Sequence, residues 1–213
     1  MLALQLRPAP RACLGTSPAV LAEALRDGVN LAVWQRELTP EVQGFVQALL
    51  ARGVALSESL TLEPDSQGCC RLEQILAPQA GWPGQAAFIE DLRWLSEAFA
   101  CLLGAQRVGL RLRSLDKPMC PRFHVDHVPL RLITTYAGVA SEWLEEGGMD
   151  RRRLGEAQAE PRDGERIQRL DAGWVALAKG EKWPGNEGAG LIHRSPTPPS
   201  GGRRLLLTLD WLP

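Results

Sequence analysis

Two of the three histidines in this chain stand close together, at positions 124 and 127, with an aspartate between them in the stretch FHVDHVPLRL. His124 and Asp126 are two residues apart, so in an extended strand both side chains point to the same face. An imidazole and a carboxylate on one face can bind the same metal ion. The third histidine, His193, ends another apolar stretch, GLIH, and can supply a third ligand from a second strand.

Two histidines and one carboxylate form the facial ligand set of non-haem Fe(II) oxygenases, because the remaining coordination positions stay open for reactants. His124, Asp126 and His193 are therefore the candidate metal ligands and catalytic residues. The same three residues can bind Zn(II), since geometry rather than raw affinity selects the metal. Two neighbours are weaker candidates: Cys120 as a thiolate ligand, and His127 as a hydrogen-bonding partner of a ligand.

An arginine stands eleven residues after His193, at the start of the apolar stretch RLLLTLDWL. On a strand next to the one that carries His193, Arg204 could bind a carboxylate through two parallel hydrogen bonds. Thr134 and Tyr136 follow the HxD motif in the stretch LRLITTY and could donate to the same carboxylate. These residues predict a carboxylate-binding position close to the metal ligands.

The composition is that of an ordinary folded chain: 213 residues, 45% hydrophobic, 23% charged, with a net charge of −1. No basic face is evident, so we expect no nucleic-acid partner. No stretch approaches the about 18 apolar residues that a membrane span needs. The first 15 residues are mildly apolar but broken by prolines, which does not predict a signal peptide. Five cysteines in no metal-ribbon spacing indicate reduced thiols and a cytoplasmic location.

Helix signals dominate the first half of the chain. Helices are predicted over residues 16–28, 38–53 and 84–104, with apolar residues spaced along one face. In the second of them, Thr39 is a candidate cap, with Pro40 in the first turn and Gly53 as the stop. A short strand is predicted in the stretch VNLAVWQREL between the first two helices. The proline-rich and glycine-rich residues 54–83 predict loops, with one short helix at Leu72 to Leu76.

Strand signals dominate from residue 107 onward. The stretch RVGLRLRSL alternates apolar and basic residues with a period of two, and further strands are predicted in LRLITTY, AGWVALAKG, GAGLIHRS and RRLLLTLDWL. Residues 145–169 are charged and predict an excursion from the sheet. Helices followed by strands indicate an α+β fold with a mostly antiparallel sheet. We expect a mainly helical part, 1–106, to pack on a core formed by 107–213 within one compact domain.

Two segments resemble those of Fe(II)/2-oxoglutarate oxygenases. FHVDHVPLRLITTY resembles their HxD and R-x-x-T segment, and IHRSPTPPSGGRRLLLTLDW resembles their closing segment. The resemblance covers roughly residues 107 to 213 and implies a double-stranded β-helix core (jelly-roll, or cupin-like) with the helices packed outside. Through the segments CPRFHVD, TY and HRSP, the chain also resembles a bacterial family named domain of unknown function 1826.

The resemblance to the oxygenases implies Fe(II) bound by His124, Asp126 and His193, and 2-oxoglutarate bound through its distal carboxylate by Arg204. Arg203 is the alternative, because a shift of one residue moves a strand side chain to the other face. No residue is evident for the end of 2-oxoglutarate nearest the metal. The expected function is oxygenation of a small molecule or peptide. The alternative is a metal-binding jelly-roll protein, holding zinc or iron, that serves in metal homeostasis.

Overall fold

Ten strands make up the sheet structure within the described part of the chain. The computed structural model describes residues 9–72, 74–161 and 166–212. The strands are β1 (Arg11–Gly15), β2 (Val29–Trp34), β3 (Ser57–Leu62), β4 (Arg107–Leu115), β5 (Leu130–Ala137), β6 (Glu142–Leu144), β7 (Ile167–Arg169), β8 (Val175–Lys179), β9 (His193–Arg194) and β10 (Arg204–Leu212). Seven of them form the main sheet in the order β1-β2-β8-β5-β10-β4-β3. Among these described strands, β1 and β2 are parallel and the other neighbours are antiparallel.

A second sheet packs against the inner face of the first. It has three strands in the order β7-β6-β9, all antiparallel. A shared apolar cluster joins the sheets, with Trp143 from the second against Ile133, Ala176 and Leu206 from the first. The two sheets therefore lie face to face, as a jelly roll requires, although in the described residues they form two separate ladders rather than one closed barrel.

Two α-helices cover the outer face of the main sheet: α1 (Pro40–Ala51) and α2 (Gln85–Leu103). The predicted capping of α1 is confirmed, because the Thr39 side chain accepts a hydrogen bond from the Val42 N–H. The first predicted helix is instead a 3-10 helix, Pro18–Leu25. Shorter 3-10 helices span Ala77–Gln79, Arg151–Arg153 and Ala157–Ala159.

The main core lies between the helices and the main sheet. The helices contribute Phe45, Val46, Leu49, Phe88, Leu92, Leu95 and Phe99, and the sheet contributes Leu110, Leu112, Leu132, Val175, Leu177, Leu205, Leu207 and Leu209. Each of these side chains stabilises the fold by about 2 kcal/mol through its burial. Because β10 alternates, its odd-numbered leucines face the helices and Arg204, Leu206, Thr208 and Asp210 face the second sheet. The helix-covered outer face of the main sheet thus contributes to stability, whereas its inner face carries the polar residues considered for the site.

The first half of the chain contributes more strand than its sequence predicts. β1 and β3 were not expected, and β3 falls within residues 54–83, where loops were predicted. Its sequence, SESLTL, is polar because β3 lies at the edge of the sheet. The helix predicted at Leu72 to Leu76 is wrong for the residues described there, which form turns before the 3-10 helix that contains Pro78.

Three strands that precede residue 106 belong to the same sheet as the later strands. The division of the chain at this residue therefore stays a prediction. Residues 1–8, part of the stretch considered for a signal peptide, lie outside the described residues. In the described part of the chain, no helix combines the length and apolarity needed to cross a lipid bilayer.

Candidate metal centre and carboxylate pocket

The three predicted metal ligands come together at one point beside the inner face of the main sheet. The candidate ligand atoms of His124, Asp126 and His193 all lie within 4.8 Å of one another. The Nε2 of His124 lies 3.5 Å from Oδ1 of Asp126, and the Nε2 of His193 lies 3.3 Å from Oδ2 of the same carboxylate. Two ring nitrogens and one carboxylate at these separations can surround a single divalent cation.

Backbone pairing brings the two histidines together and sets their orientation. His124 and His193 form an antiparallel bridge, in which each N–H donates to the other's carbonyl oxygen at 3.0 Å. The Nδ1 of His124 lies 3.0 Å from the carbonyl oxygen of Arg122, and the Nδ1 of His193 lies 3.2 Å from that of Leu191. Because a carbonyl oxygen can only accept, each Nδ1 carries a proton, and the Nε2 of each neutral ring is free to bind a metal.

The carboxylate of Asp126 is held in place by Arg131. The Nη1 of Arg131 donates to Oδ2 of Asp126 at 2.8 Å, while its Nε and Nη2 donate to the two oxygens of Asp210 at 2.6 and 3.0 Å. Burial alone would raise the pKa of Asp126. The hydrogen bonds with His124 and His193, together with the charge of Arg131, bring this pKa well below its usual range. Asp126 is therefore ionised, as a metal ligand must be.

The protonation of His124 opposes metal binding. Burial lowers its pKa, but the hydrogen bonds with Asp126 and with the Arg122 carbonyl raise it, and the net pKa is above the ordinary value. A proton on Nε2 occupies the position that a metal ion would take, so a cation must displace this proton in order to bind.

Arg204 is fully buried and has three hydroxyl partners. Its Nη1 donates to Oγ of Ser195 at 2.9 Å, and its Nη2 donates to Oγ1 of Thr135 at 2.9 Å and Oγ of Ser141 at 3.3 Å. Its Nε has no partner among the described residues. Because each hydroxyl accepts from the guanidinium, its own proton is available to a further acceptor.

No carboxylate of the described residues pairs with Arg204. Burial lowers the pKa of this arginine to about 10, so the guanidinium is still charged at neutral pH. A buried charge without a counter-ion is unfavourable, and a bound anion would relieve that cost. Arg204 and its hydroxyl partners thus form a set of hydrogen-bond donors suited to a carboxylate.

The other residues expected to bind this carboxylate lie elsewhere, and those expectations are corrected. Along β5, Thr135 faces Arg204, whereas Thr134 and Tyr136 point to the helix-covered face. The Tyr136 hydroxyl donates to Oδ2 of Asp91 at 2.6 Å. The guanidinium of Arg203 lies near Gly53, at the end of α1. In each case a step of one residue along a strand reverses the face.

A cavity of about 480 Å³ borders His124. Its walls are apolar at Val125 and Leu154, and they carry charge at Arg122 and Glu181. His127 is exposed and lines this cavity, but it is not part of the ligand cluster found among the described residues. Cys120 is also exposed and is not part of that cluster. The size of the cavity is within the usual range for small-molecule sites.

The excursion after β6 supplies one wall of this cavity and is tied to both histidine segments by Glu160. Its Oε1 accepts from the Phe123 N–H at 3.1 Å, and its Oε2 pairs with Nη1 of Arg194 at 3.1 Å. Phe123 and Arg194 are the chain neighbours of His124 and His193. The wall and the metal centre therefore share one support.

The sequence profile described as "Protein of unknown function (DUF1826)" matches residues 15–210. The chain belongs to the DUF1826 family. Among curated proteins, none matches it.

Solved structures resemble this DUF1826 protein at low sequence identity. A protein from Shewanella oneidensis, provisionally described as an oxygenase, is 12% identical over 95% of this chain and 90% of its own, with a TM-score of 0.51. At this identity the likeness shows a shared fold. A prolyl-4-hydroxylase from Pseudomonas putida is 13% identical over 95% and 96% of the two chains, with a TM-score of 0.46. HygX from Streptomyces hygroscopicus, with nickel and 2-oxoglutarate bound, is 12% identical over 91% and 85%, with a TM-score of 0.44.

Several residues of the site were not predicted. Thr135, Ser141 and Ser195 bind Arg204, and Arg131 binds Asp126. Two of them had a signal in the sequence, because Arg131 is the arginine of the R-x-x-T segment and Ser195 lies two residues after His193. The partners of both depend on tertiary contacts that no spacing reveals.

Proposed function

We propose that this DUF1826 protein is an Fe(II)- and 2-oxoglutarate-dependent oxygenase with a jelly-roll core. The observation that carries the proposal is the pairing of two sites. The first is a cluster of two histidines and a carboxylate, and the second is a buried arginine that has no acidic partner among the described residues. Ser195 links them, since it accepts from Arg204 and lies two residues after His193.

The donor set fits Fe(II). Both histidines direct Nε2 toward Asp126, and Asp126 is ionised, so binding requires no ring rotation and no loss of a proton from the carboxylate. When His124 is protonated, the cation displaces the proton on its Nε2. Three protein ligands leave coordination positions for other reactants. When bound, Fe(II) and 2-oxoglutarate supply the oxidant: dioxygen oxidises the keto acid to succinate and CO₂ and leaves one oxygen atom for the substrate.

The hydrogen-bond donors around Arg204 fit the distal carboxylate of 2-oxoglutarate. A carboxylate here would receive charge-assisted hydrogen bonds from the guanidinium and further ones from the surrounding hydroxyls. From His193 to Ser195 an extended chain covers about 7 Å, a span that a short dicarboxylate can bridge. The role of Arg204 is therefore to neutralise and orient this anion, with the reactive end toward His124, Asp126 and His193.

The prime substrate would enter through the cavity beside His124. The cavity volume of about 480 Å³ suits a small molecule or a single protruding side chain. Apolar residues such as Leu154 would exclude water from the reacting carbon, and Arg122 and Glu181 could orient polar groups.

Turnover without the prime substrate tests this function. The purified protein, supplied with Fe(II), 2-oxoglutarate and dioxygen, should form succinate slowly, and the His193→Ala variant should form none. Arg203→Met is the matched control that should keep the activity. If the wild-type protein neither binds 2-oxoglutarate nor forms succinate, the oxygenase proposal fails. Tight Zn(II) binding by the same three residues would then favour the metal-binding alternative.

A further inference from the structure

A chain of alternating charges leads from the metal centre to the surface. Asp126 contacts Arg131, Arg131 contacts Asp210, and Asp210 also accepts from Nη1 of Arg111 at 2.7 Å. The Asp210 side chain is 3% exposed and the Arg131 side chain 19%, whereas the Arg111 side chain is 47% exposed. Arg131 is the member of this chain that touches a candidate metal ligand.

The position of Arg131 is set by its pairing with Asp210. It pairs with Asp210 in the register of β5 and β10, so the two side chains leave neighbouring strands side by side on the inner face. The two parallel hydrogen bonds between them set the plane of the guanidinium. Its remaining Nη1 is thereby directed at Asp126.

Asp126 itself has little support from secondary structure. It lies between the bridge at His124 and the start of β5, outside any strand. Its carbonyl oxygen accepts from the Glu181 N–H at 2.9 Å, which holds the backbone. Besides the two histidines, the Arg131 guanidinium is the side-chain group among the described residues that holds the carboxylate.

We propose that Arg131 is the positioning residue of the metal centre. Its Nη1 donates to Oδ2 of Asp126, so Oδ1, which lies 3.5 Å from the Nε2 of His124, would be the oxygen left available to a cation. Without this restraint the Asp126 carboxylate would be free to rotate, or it would bind the cation through both oxygens. The second oxygen would then occupy a coordination position that a reactant needs. The inference rests on the proposed function only in that His124, Asp126 and His193 bind a divalent cation.

Co(II) is a suitable probe, because its visible absorption reports both binding and coordination number. Metal-free protein would be titrated as wild type, Arg131→Gln and Arg131→Lys. Arg111→Gln is the matched control, since Arg111 touches Asp210 but not Asp126. We expect Arg131→Gln to raise the Kd for Co(II) by about 10- to 100-fold and to weaken the absorption of the saturated protein. Arg131→Lys should recover part of the affinity, and Arg111→Gln should resemble wild type.

An Arg131→Gln variant that is folded by circular dichroism, with the wild-type Kd and spectrum, would overturn the proposal. If this variant does not fold, Asp210→Asn replaces it, because it loosens the anchor and keeps the arginine. An intermediate Kd then supports the proposal, and a wild-type Kd overturns it. A wild-type protein that binds Co(II) but not 2-oxoglutarate would contradict only the proposed oxygenase function and not the role of Arg131. A wild-type protein that binds no Co(II) would contradict both the oxygenase function and the positioning role of Arg131.

Discussion

His124 and His193 exchange both backbone hydrogen bonds across an antiparallel bridge, and each ring donates from Nδ1 to a carbonyl two residues earlier in the chain. The bridge brings together two residues that are distant in sequence, and the Nδ1 contacts select the ring nitrogen that faces Asp126. The candidate metal centre is therefore assembled by strand pairing, and it depends on the second sheet, to which His193 belongs.

The first prediction concerns Arg204 and its chain neighbour Arg203. Replacement of Arg204 by methionine should weaken 2-oxoglutarate binding by at least about 30-fold, because a buried, hydrogen-bonded charge pair is worth about 2 kcal/mol or more. Arg203→Met should leave binding nearly unchanged, since Arg203 points to the other face. Calorimetric titration of both variants, loaded with the same metal, measures the difference.

The same pair of variants offers a second readout. Without ligand, Arg204→Met removes a buried charge that has no acidic partner among the described residues, so the free energy of unfolding should stay the same or rise. A large loss of stability, or a loss of 2-oxoglutarate affinity in Arg203→Met alone, would contradict the assignment of Arg204.

The second prediction uses the fact that Tyr136 is the single tyrosine in the chain. Burial, and then the negative charge of Asp91, raise the pKa of Tyr136 well above its ordinary value. A raised pKa in the folded state means that this contribution to stability is complete below about pH 10, the unfolded value, and is lost as the pH rises further. Tyrosinate absorbance should therefore appear only together with the loss of native circular dichroism.

The unfolded chain in denaturant is the control for Tyr136 and should titrate near pH 10, about the unperturbed value. Tyrosinate that forms near that pH while the protein keeps its native spectrum would show that the hydroxyl is not buried against Asp91.

The third prediction concerns Gly180, which follows β8 and is buried. A Cβ at this position would overlap the carbonyl oxygens of Val128 and Asp126. Gly180→Ala should lower the free energy of unfolding by about 1–3 kcal/mol, the usual cost of overpacking, and should weaken metal binding by displacing Asp126. Denaturant unfolding and a metal titration measure the two effects.

Gly44→Ala is the matched control for this substitution. Gly44 lies within α1, with open space around its Cβ position, so alanine should raise stability by about 0.5–1 kcal/mol. A Gly180→Ala protein with unchanged stability and metal affinity would contradict the close approach of Gly180 to the metal-binding loop.

The fourth prediction concerns the wall that Glu160 ties to the metal centre. Glu160→Gln keeps a possible acceptor for the Phe123 N–H but loses the ion pair with Arg194, so the wall should open more often. Trypsin should cleave after Arg151–Arg153 several-fold faster than in wild type. Glu156→Gln is the control, because its pair with Arg153 is exposed and contributes little. Equal cleavage rates in the two variants would rule out a bracing role for Glu160.

The sequence predicts the metal cluster and Arg204 because both depend on local pattern. The spacing of His124 and Asp126 needs only a short extended segment. Arg204 opens a strand eleven residues after His193, although leucines on both faces of that strand leave Arg203 as an alternative. The face of β5 is not predictable in this way. Both of its faces are buried, so apolar residues such as Leu132 and Ile133 occupy both phases and do not distinguish Thr134 from Thr135.

Other features depend on contacts between distant parts of the chain. Arg131 is significant because β10 places Asp210 beside it, and no spacing along the sequence indicates that pairing. Strand β3 was not predicted because an edge strand can carry polar residues on its exposed side and contain few apolar residues. Prediction from sequence thus recovers what one segment determines, and it misses what two segments determine together.

The central claim is that one site binds Fe(II) and 2-oxoglutarate together, and an anaerobic titration of the metal-free protein with both tests it most directly. Chelation of Fe(II) by the keto acid should produce a visible charge-transfer band at one equivalent. The band should be absent in His193→Ala and weaker in Arg204→Met at the same 2-oxoglutarate concentration. A protein that binds Fe(II) at these residues yet shows no band at saturating 2-oxoglutarate would contradict the account.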